Sequence, residues 1–194
     1  MTLSRSDLWS LEEYSEKRNT FRSEVIAHKK NRELNLTANA RLLFEDEMTV
    51  RYQIQEMLRI EKVFEAAGIE EELDAYNPLI PDGTNWKATF MLEFDDIAER
   101  KDALEKLIGV EDQVWIRVGD NDKVYAIADE DLERQNDIKT SSVHFLRFEL
   151  SSDMIQAAKE NVTITAGCDH PALAVEGITL EPQTVTSLAR DLAA

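Results

Sequence analysis

A short stretch near the end of the chain, Gly167 to Pro171, places three chemically active side chains next to one another. A thiol, a carboxylate and an imidazole lie between a glycine and a proline, which shape the backbone around them. Asp169 and His170 are therefore candidates for an acid/base pair or for metal ligands. The same residues also suit an Asx-type turn that closes a strand, with His170 exposed and Cys168 packed as a small hydrophobic side chain.

A second set of candidates consists of polar residues on helix and strand faces that are otherwise apolar. Its members are Arg18, His28, Gln53, Glu61 and His144. Polar side chains on several inward faces predict a shared pocket, which would serve catalysis or hold a divalent metal ion. The candidate metal ligands in the whole chain are Glu61, His144 and His170. A buried polar network that only specifies packing explains the same residues, so both interpretations stay open.

The helix predicted from Asp46 to Ala67 carries the most unusual of these residues. Asp46 supplies an N-cap carboxylate, and Gly68 is expected to end the helix. At about 100° per residue, one face collects the apolar side chains Val50, Ile54, Met57, Leu58, Ile60 and Phe64. Glu61 and Gln53 fall inside that arc, so we expect Glu61 to be an ion-paired acid, a carboxylate with a raised pKa or a metal ligand. The opposite side, with Gln55, Glu56 and Arg59, is expected to face solvent or a partner.

A preceding helix over 11–30 supplies a cation for Glu61. Ser10 and Glu13 form a capping-box pattern at its start, and Arg18 lies within its apolar face. Two unpaired charges in apolar surroundings would each carry a desolvation cost, whereas pairing recovers much of it. We therefore expect the two helices to pack together and Arg18 to form a partly buried ion pair with Glu61.

The remaining pattern indicates an α+β fold. Alternating apolar residues predict strands at 86–94 and 142–150, and Gly119 to Asp122 is typical of a hairpin turn between strands 113–118 and 123–128. Further strands are predicted at 32–36, 41–45 and 162–166, and helices at 69–76, 96–107 and 152–160, with a last helix after Glu181 and Pro182. Short connections favour antiparallel pairing, so we expect a mainly antiparallel sheet of about five or six strands packed against helices.

The length and net charge of the chain limit the classes of protein to which it can belong. The 194 residues suffice for one core, so we predict a single domain over 1–194. A net charge of −17 without a long basic run argues against nucleic-acid binding. A single cysteine suits a reducing compartment, and neither a signal peptide nor an apolar run long enough to span a membrane is present. We therefore expect a cytoplasmic protein without membrane insertion.

The motifs of common enzyme classes are absent from the sequence. It contains no Gly-rich phosphate loop, nucleophile elbow, paired-cysteine site or close pair of histidines. This absence favours an accessory or partner-binding protein over those enzymes. The connection Tyr76 to Pro81, in which two prolines bracket Leu79 and Ile80, is one candidate docking segment, although these two residues also suit a position beneath the sheet.

Several segments together resemble a bacterial family of unknown function, almost from end to end. They are Tyr14 to Arg22, Phe44-Glu45, Thr49 with Tyr52 to Arg59, Glu72 to Pro81, Ser141 to Phe148, and Asp169-His170-Pro171. Members of that family are often encoded beside a rubrerythrin and an iron–sulfur protein of the heterodisulfide-reductase type. The resemblance implies an accessory role in a redox system with such a partner, and it implies no catalytic residues. The alternative from the residues themselves is a small metal-binding protein or metal-dependent enzyme that uses inward-facing Glu and His side chains.

Overall fold

The protein is described here as a computed structural model covering residues 2–132, 134–136 and 138–193. Its helices are α1 (Leu11–Lys29), α2 (Glu47–Glu61), α3 (Ala66–Tyr76), α4 (Ile97–Lys106), α5 (Ser152–Lys159) and α6 (Pro182–Ala189). Its strands are β1 (Glu33–Asn35), β2 (Ala40–Glu45), β3 (Asn85–Leu92), β4 (Val114–Val118), β5 (Val124–Tyr125), β6 (Ile127–Ala128), β7 (Val143–Glu149), β8 (Ile164–His170) and β9 (Leu173–Thr179). None of the described helices has the length and apolar character needed to cross a bilayer.

Two antiparallel sheets organise the chain, which confirms the predicted α+β class. The strands of the first sheet follow the order β1-β2-β3-β7-β6, and those of the second follow β5-β4-β8-β9. The segment predicted as one strand at 123–128 forms two short strands, one in each sheet. β5 pairs with β4 in the second sheet, and β6 pairs with β7 in the first. The strands are therefore divided between sheets of five and four rather than gathered in one.

The principal core lies between the two sheets. The inner face of the first sheet contributes Trp86, Phe90 and Phe148, and each is fully buried. Val114, Ile116 and Ile164 of the second sheet belong to the same cluster. The Trp86 indole Nε1 donates to the carbonyl of Leu188 at 2.9 Å, so its one polar atom is also satisfied.

The first three helices form a separate layer on the outer face of the first sheet. The predicted caps are confirmed, since Ser10 accepts from Glu13 N at 3.2 Å and Asp46 from Thr49 N at 3.0 Å. The expected contact between α1 and α2 is also present. Helix α2 buries Val50, Ile54 and Leu58 against smaller apolar clusters, distinct from the core between the sheets.

Helix α2 is shorter than its apolar pattern predicts. It ends at Glu61, and Lys62 adopts a left-handed conformation with φ 56°. The prediction that Gly68 ends the helix is wrong, because α3 begins at Ala66 and runs through that glycine. Phe64 lies beyond the end of α2 and Ile60 in its last turn, and both side chains are exposed instead of continuing the buried stripe.

The end of the second sheet also departs from the expected turn. Strand β8 continues through Gly167 to His170 and pairs with β9, a strand that the sequence pattern did not indicate. This position of the strand requires glycine, because an added Cβ would fall 2.4 Å from the Trp115 ring and from the carbonyl oxygen of Val175.

Candidate functional site

The best-defined polar centre surrounds His144 on the inner face of β7. Alternation along the strand places His144 on the same side as Leu146 and Phe148, and its side chain is fully buried. Its Nδ1 lies 2.6 Å from a carboxylate oxygen of Asp129. A carboxylate can only accept, so Nδ1 carries the hydrogen and donates it.

Asp129 is positioned by an unusual backbone. It follows β6 with φ 49°, a left-handed conformation that aspartate tolerates better than most residues. Its backbone N–H donates to the carbonyl of Phe145 at 2.8 Å, and its second carboxylate oxygen accepts from Phe145 N at 2.9 Å. The turn thus holds the carboxylate against the strand that carries His144.

A different set of oxygens surrounds the other imidazole nitrogen. His144 Nε2 lies 2.9 Å from the Thr140 hydroxyl, 3.1 Å from the Ser141 carbonyl oxygen and 3.7 Å from a Glu111 carboxylate oxygen. The Thr140 hydroxyl is also 3.3 Å from that carboxylate. Glu111 is brought there by a 3-10 turn that follows Gly109, whose φ of 81° reverses the chain after α4.

These contacts bring several electron-pair acceptors together. With the hydrogen on Nδ1, a neutral imidazole presents a lone pair at Nε2, where it meets a carbonyl and a carboxylate oxygen. The Thr140 hydroxyl can donate to only one of them. Thr140 and Glu111 are almost completely buried, so solvent does not relieve the repulsion. A cation at Nε2, either a proton or a metal ion, would relieve this repulsion.

The distances fit a metal ion. Nitrogen and oxygen ligands lie about 2.0–2.2 Å from a first-row divalent ion, which separates neighbouring ligand atoms by about 3.0–3.5 Å. The separations around Nε2 range from 2.9 to 3.7 Å. Asp129 would orient the ring from its far side, as carboxylates commonly do behind a metal-binding histidine. The donor atoms of Glu111, Asp129 and His144 all lie within 4.8 Å of one another.

The charges around His144 also favour the binding of a cation. Asp129 and Glu111 contribute two carboxylates, and Arg134 lies 3.2 Å from Asp129. Among the residues that the structure describes, no second arginine or lysine forms an ion pair with either acid. A cation at His144 Nε2, whether a proton or a metal ion, would balance the charge of the second acid.

Arg18 lies in an ion pair, but with a different acid from the one predicted. Its guanidinium binds both carboxylate oxygens of Glu56, at 2.7 and 2.9 Å, and Tyr14 donates to the same carboxylate at 2.6 Å. Hydrogen bonds from Arg18 lower the pKa of Glu56 from its ordinary 4.5 to about 2, with Tyr14 and Arg59 contributing. The expected pair with Glu61 is wrong because Glu56, on the side of α2 assigned to solvent, faces α1.

Glu61 and Gln53 do not enter a core. Glu61 is the exposed last residue of α2, whereas Gln53 is exposed at the edge of a cavity beneath that helix. By contrast, Gln55 is fully buried and its Oε1 accepts from Trp9 N at 2.8 Å. The helical face that meets α1 is thus the one with Gln55 and Glu56, because α2 is covered on two sides.

His28 belongs to a third polar group. Its Nε2 lies 2.5 Å from Asp46, the N-cap residue of α2. The same carboxylate lies 3.4 Å from Arg32, which is almost fully buried and binds Asp191 at 2.5 Å. Arg32 also donates to the carbonyls of Phe44 and Glu45, so it ties the first sheet to the C-terminal segment.

Asp169 and His170 lie at the end of β8. Asp169 accepts from Lys123 Nζ at 2.8 Å, Tyr125 Oη at 2.6 Å and Trp115 Nε1 at 2.9 Å. These bonds, led by Lys123, lower its pKa to about 2. His170 is half-buried, and its Nε2 lies 3.2 Å from the carbonyl oxygen of Ile108. The two side chains therefore have separate partners, and Cys168 is packed in the core as the alternative interpretation expected.

The residues of the predicted pocket therefore lie in several separate parts of the structure. Only His144, among the predicted residues, lies in a cluster that can hold a metal. Sequence reasoning missed Glu111, Asp129 and Arg32. A signal for Asp129 existed, because it directly follows the strand predicted to end at Ala128, next to the antiparallel strand of His144. Glu111 and Arg32 carried no comparable signal, since their partners are far away in the sequence.

Comparison with known proteins places the chain in an uncharacterised group. No curated protein matches it. A crystal structure from Burkholderia pseudomallei K96243, described as a novel protein of unknown function, is similar, with 51% identity, 100% coverage of both chains and a TM-score of 0.96. Residues 2–192 match the family described as "Protein of unknown function (DUF3501)". The chain therefore belongs to the DUF3501 family, which confirms its resemblance to a family of unknown function.

Proposed function

We propose that this protein binds one first-row divalent metal ion through His144 Nε2, the Glu111 carboxylate, the Thr140 hydroxyl and the Ser141 carbonyl. The observation that carries the proposal is the convergence of these acceptors on one buried nitrogen, at ligand-to-ligand distances that suit a metal. One imidazole with oxygen ligands favours zinc, iron(II) or manganese(II) over a soft ion such as copper(I).

The enclosure of this centre favours an accessory role over catalysis. His144 is fully buried, and Glu111 and Thr140 are 3% and 2% exposed. Substrate would have no direct path to such an ion, whereas a stabilising ion needs none. We therefore extend the proposal to a metal-containing accessory protein rather than a metal-dependent enzyme.

The cellular part of the proposal rests on the family resemblance. It assigns the protein to a cytoplasmic redox system, in which it assists a rubrerythrin or an iron–sulfur protein of the heterodisulfide-reductase type. The net charge of −17 supports a protein partner over nucleic acid. Coexpression with these two proteins, followed by size-exclusion chromatography, tests this part: we expect co-elution with one of them, and separate elution of all three would contradict it.

Metal analysis of protein purified without a histidine tag tests the centre itself. We expect close to one metal ion per chain in the wild type and in His170→Gln, which changes a half-buried histidine outside this centre. His144→Gln and Thr140→Val should lose most of the metal, because each removes a ligand. Metal-free wild-type protein that stays metal-free after incubation with these ions, or full occupancy in folded His144→Gln, would contradict the proposal.

A further inference from the structure

A groove separates the helical layer from the outer face of the first sheet. It consists of two cavities of about 330 and 270 Å³. Both are lined by Tyr76, Leu79 and Phe145, so they meet at these side chains. Helices α2 and α3 thus cover the sheet without filling the space against it, in contrast to the close-packed inner face.

The groove has an apolar lining and charged side chains at one end. Its apolar residues include Met57, Pro78, Leu43 and Met91. Lys87, half-buried on β3, lies at the charged end, directly opposite Glu45 in the pairing of β2 with β3. The Glu45 carboxylate already accepts hydrogen bonds from Thr49 and Thr89. An elongated ligand would therefore meet an apolar channel with a lysine at one end.

Lys87 has capacity for another partner. Its ammonium has three hydrogens, and one is donated to the carbonyl of Pro78 at 2.9 Å. No carboxylate lies within 4.0 Å of it among the residues that the structure describes. Burial and neighbouring Arg147 lower the pKa of Lys87, and the acids Glu130, Asp82 and Glu149 only partly oppose them. A bound anion would oppose both effects by favouring the charged amine.

The pairing of the strands determines which charged residues lie next to Lys87. Lys87 lies directly opposite Arg147 across β3 and β7, where two like charges repel each other. Arg147 is compensated, because Glu130 accepts two of its hydrogen bonds at 2.8 Å and Glu149 a third. On its other side Lys87 lies opposite Glu45, whose carboxylate is bound by Thr49 and Thr89 and forms no ion pair with Lys87 among the described residues. The register therefore places a lysine without a close carboxylate at the mouth of an apolar groove.

The other charged groups that line this mouth are two arginines and three acids. Arg134 is paired with Asp131 at 2.5 Å. Glu72, on α3, lines the same cavity without an ion-pair partner among the described residues. Burial and the nearby Glu61 and Glu71 raise the pKa of Glu72.

We propose that this groove binds a small amphipathic carboxylate, with its carboxylate at Lys87 and its apolar chain across Tyr76, Leu79 and Phe145. The site lies on the opposite face of the sheet from His144 and does not depend on metal binding. A charge-assisted hydrogen bond to Lys87 would fix the orientation of the ligand, and burial of its chain would supply much of the affinity.

Calorimetric titration with decanoate below its micellar concentration tests the proposal. We expect saturable binding to the wild-type protein, with decanol at least about tenfold weaker because it lacks the charge. Lys87→Met should weaken decanoate by about the same factor, and the control Lys106→Met, at an exposed lysine on α4, should not. Equal affinity for decanoate and decanol, or wild-type affinity in folded Lys87→Met, would overturn the proposal.

A second variant tests the groove independently of the lysine. Ala75 is exposed on α3 and lines the cavity, so Ala75→Trp places a bulky ring at the entrance without removing a buried group. We expect decanoate affinity to fall at least about tenfold, since the ring competes for the same volume. Undiminished binding to folded Ala75→Trp, or no saturable binding to the wild type, would equally overturn the proposal.

Discussion

The two faces of the first sheet have the same strand alternation but are covered in different ways. On the inner face, Trp86, Phe90 and Phe148 are fully buried in the core shared with the second sheet. On the outer face, Lys87 and Phe145 are half-buried beneath helices that leave a groove. Alternation decides which residues share a face, whereas the layer that packs on it decides how tightly that face is closed.

Polar side chains on the two faces also differ in their hydrogen-bond partners. The inner face contains His144, whose nitrogens both have close polar neighbours from Asp129, Thr140 and Ser141. The outer face contains Lys87, which donates to a single carbonyl. A polar group in the tight core must be satisfied from within, whereas one beside a groove can take its partner from a ligand. This difference underlies the proposal for the groove.

The largest expected effect comes from a matched pair of phenylalanines on β7. Phe148→Ala should lower the free energy of unfolding by about 3 to 5 kcal/mol, because it leaves a cavity in the closed core. Phe145→Ala should cost about 1 to 2 kcal/mol, since its ring is only half-buried and already borders a cavity. Urea denaturation of both variants measures the difference, and equal losses would contradict the comparison of the two faces.

Sequence reasoning was most successful where a pattern is local. The caps at Ser10 and Asp46, the alternation along β3 and β7 and the antiparallel pairing all follow from spacing within a short segment. It was less successful where the outcome depends on a distant neighbour. Strand β9 was missed because exposed and half-buried residues give it little apolar signal, and it is held by pairing with β8.

A second, smaller effect concerns acid stability of the helical layer. The pKa of Glu56 is depressed in the folded protein, so its contribution to stability is present above its ordinary pKa of 4.5 and is lost as pH falls towards about 2. We expect amide protection in α1 and α2 to fall over this range before protection in β3 and β7 does. Hydrogen exchange at a series of pH values measures this order.

Two substitutions serve as controls for the acid effect. Glu56→Gln should lower stability near neutral pH and flatten the dependence below pH 4.5, because the titrating carboxylate is gone. Glu61→Gln should change stability by less than about 0.5 kcal/mol, as expected for an exposed residue. If Glu61→Gln were the more destabilising of the two, the assignment of the ion pair to Glu56 would be wrong.

The candidate site shows why charged residues are harder to place than apolar ones. A helical wheel assigned Glu61 to the core, but the chain leaves the helix at Lys62 and the last turn faces solvent. His144 was placed correctly because its strand alternates over its full length. Its partner Glu111 comes from a turn after α4, and no spacing rule connects a turn residue with a strand that lies 33 positions further on.

The smallest expected effect is the reactivity of the single thiol. Cys168 is 1% exposed within the core between the sheets, and burial raises its pKa. Since the thiolate is the reactive form, we expect almost no labelling by iodoacetamide in the native protein and full labelling after denaturation. Rapid labelling under native conditions would show that the core between the sheets opens more readily than its packing indicates.

The most direct test of the central claim is anomalous scattering from crystals grown with manganese or zinc. The account predicts a peak about 2.0 to 2.3 Å from His144 Nε2, on the side of Glu111, with Asp129 remaining on Nδ1. Diffraction data collected on both sides of the metal absorption edge would identify the ion. A fully closed hydrogen-bond network around His144 without such a peak, or a peak only at surface carboxylates, would contradict the metal centre.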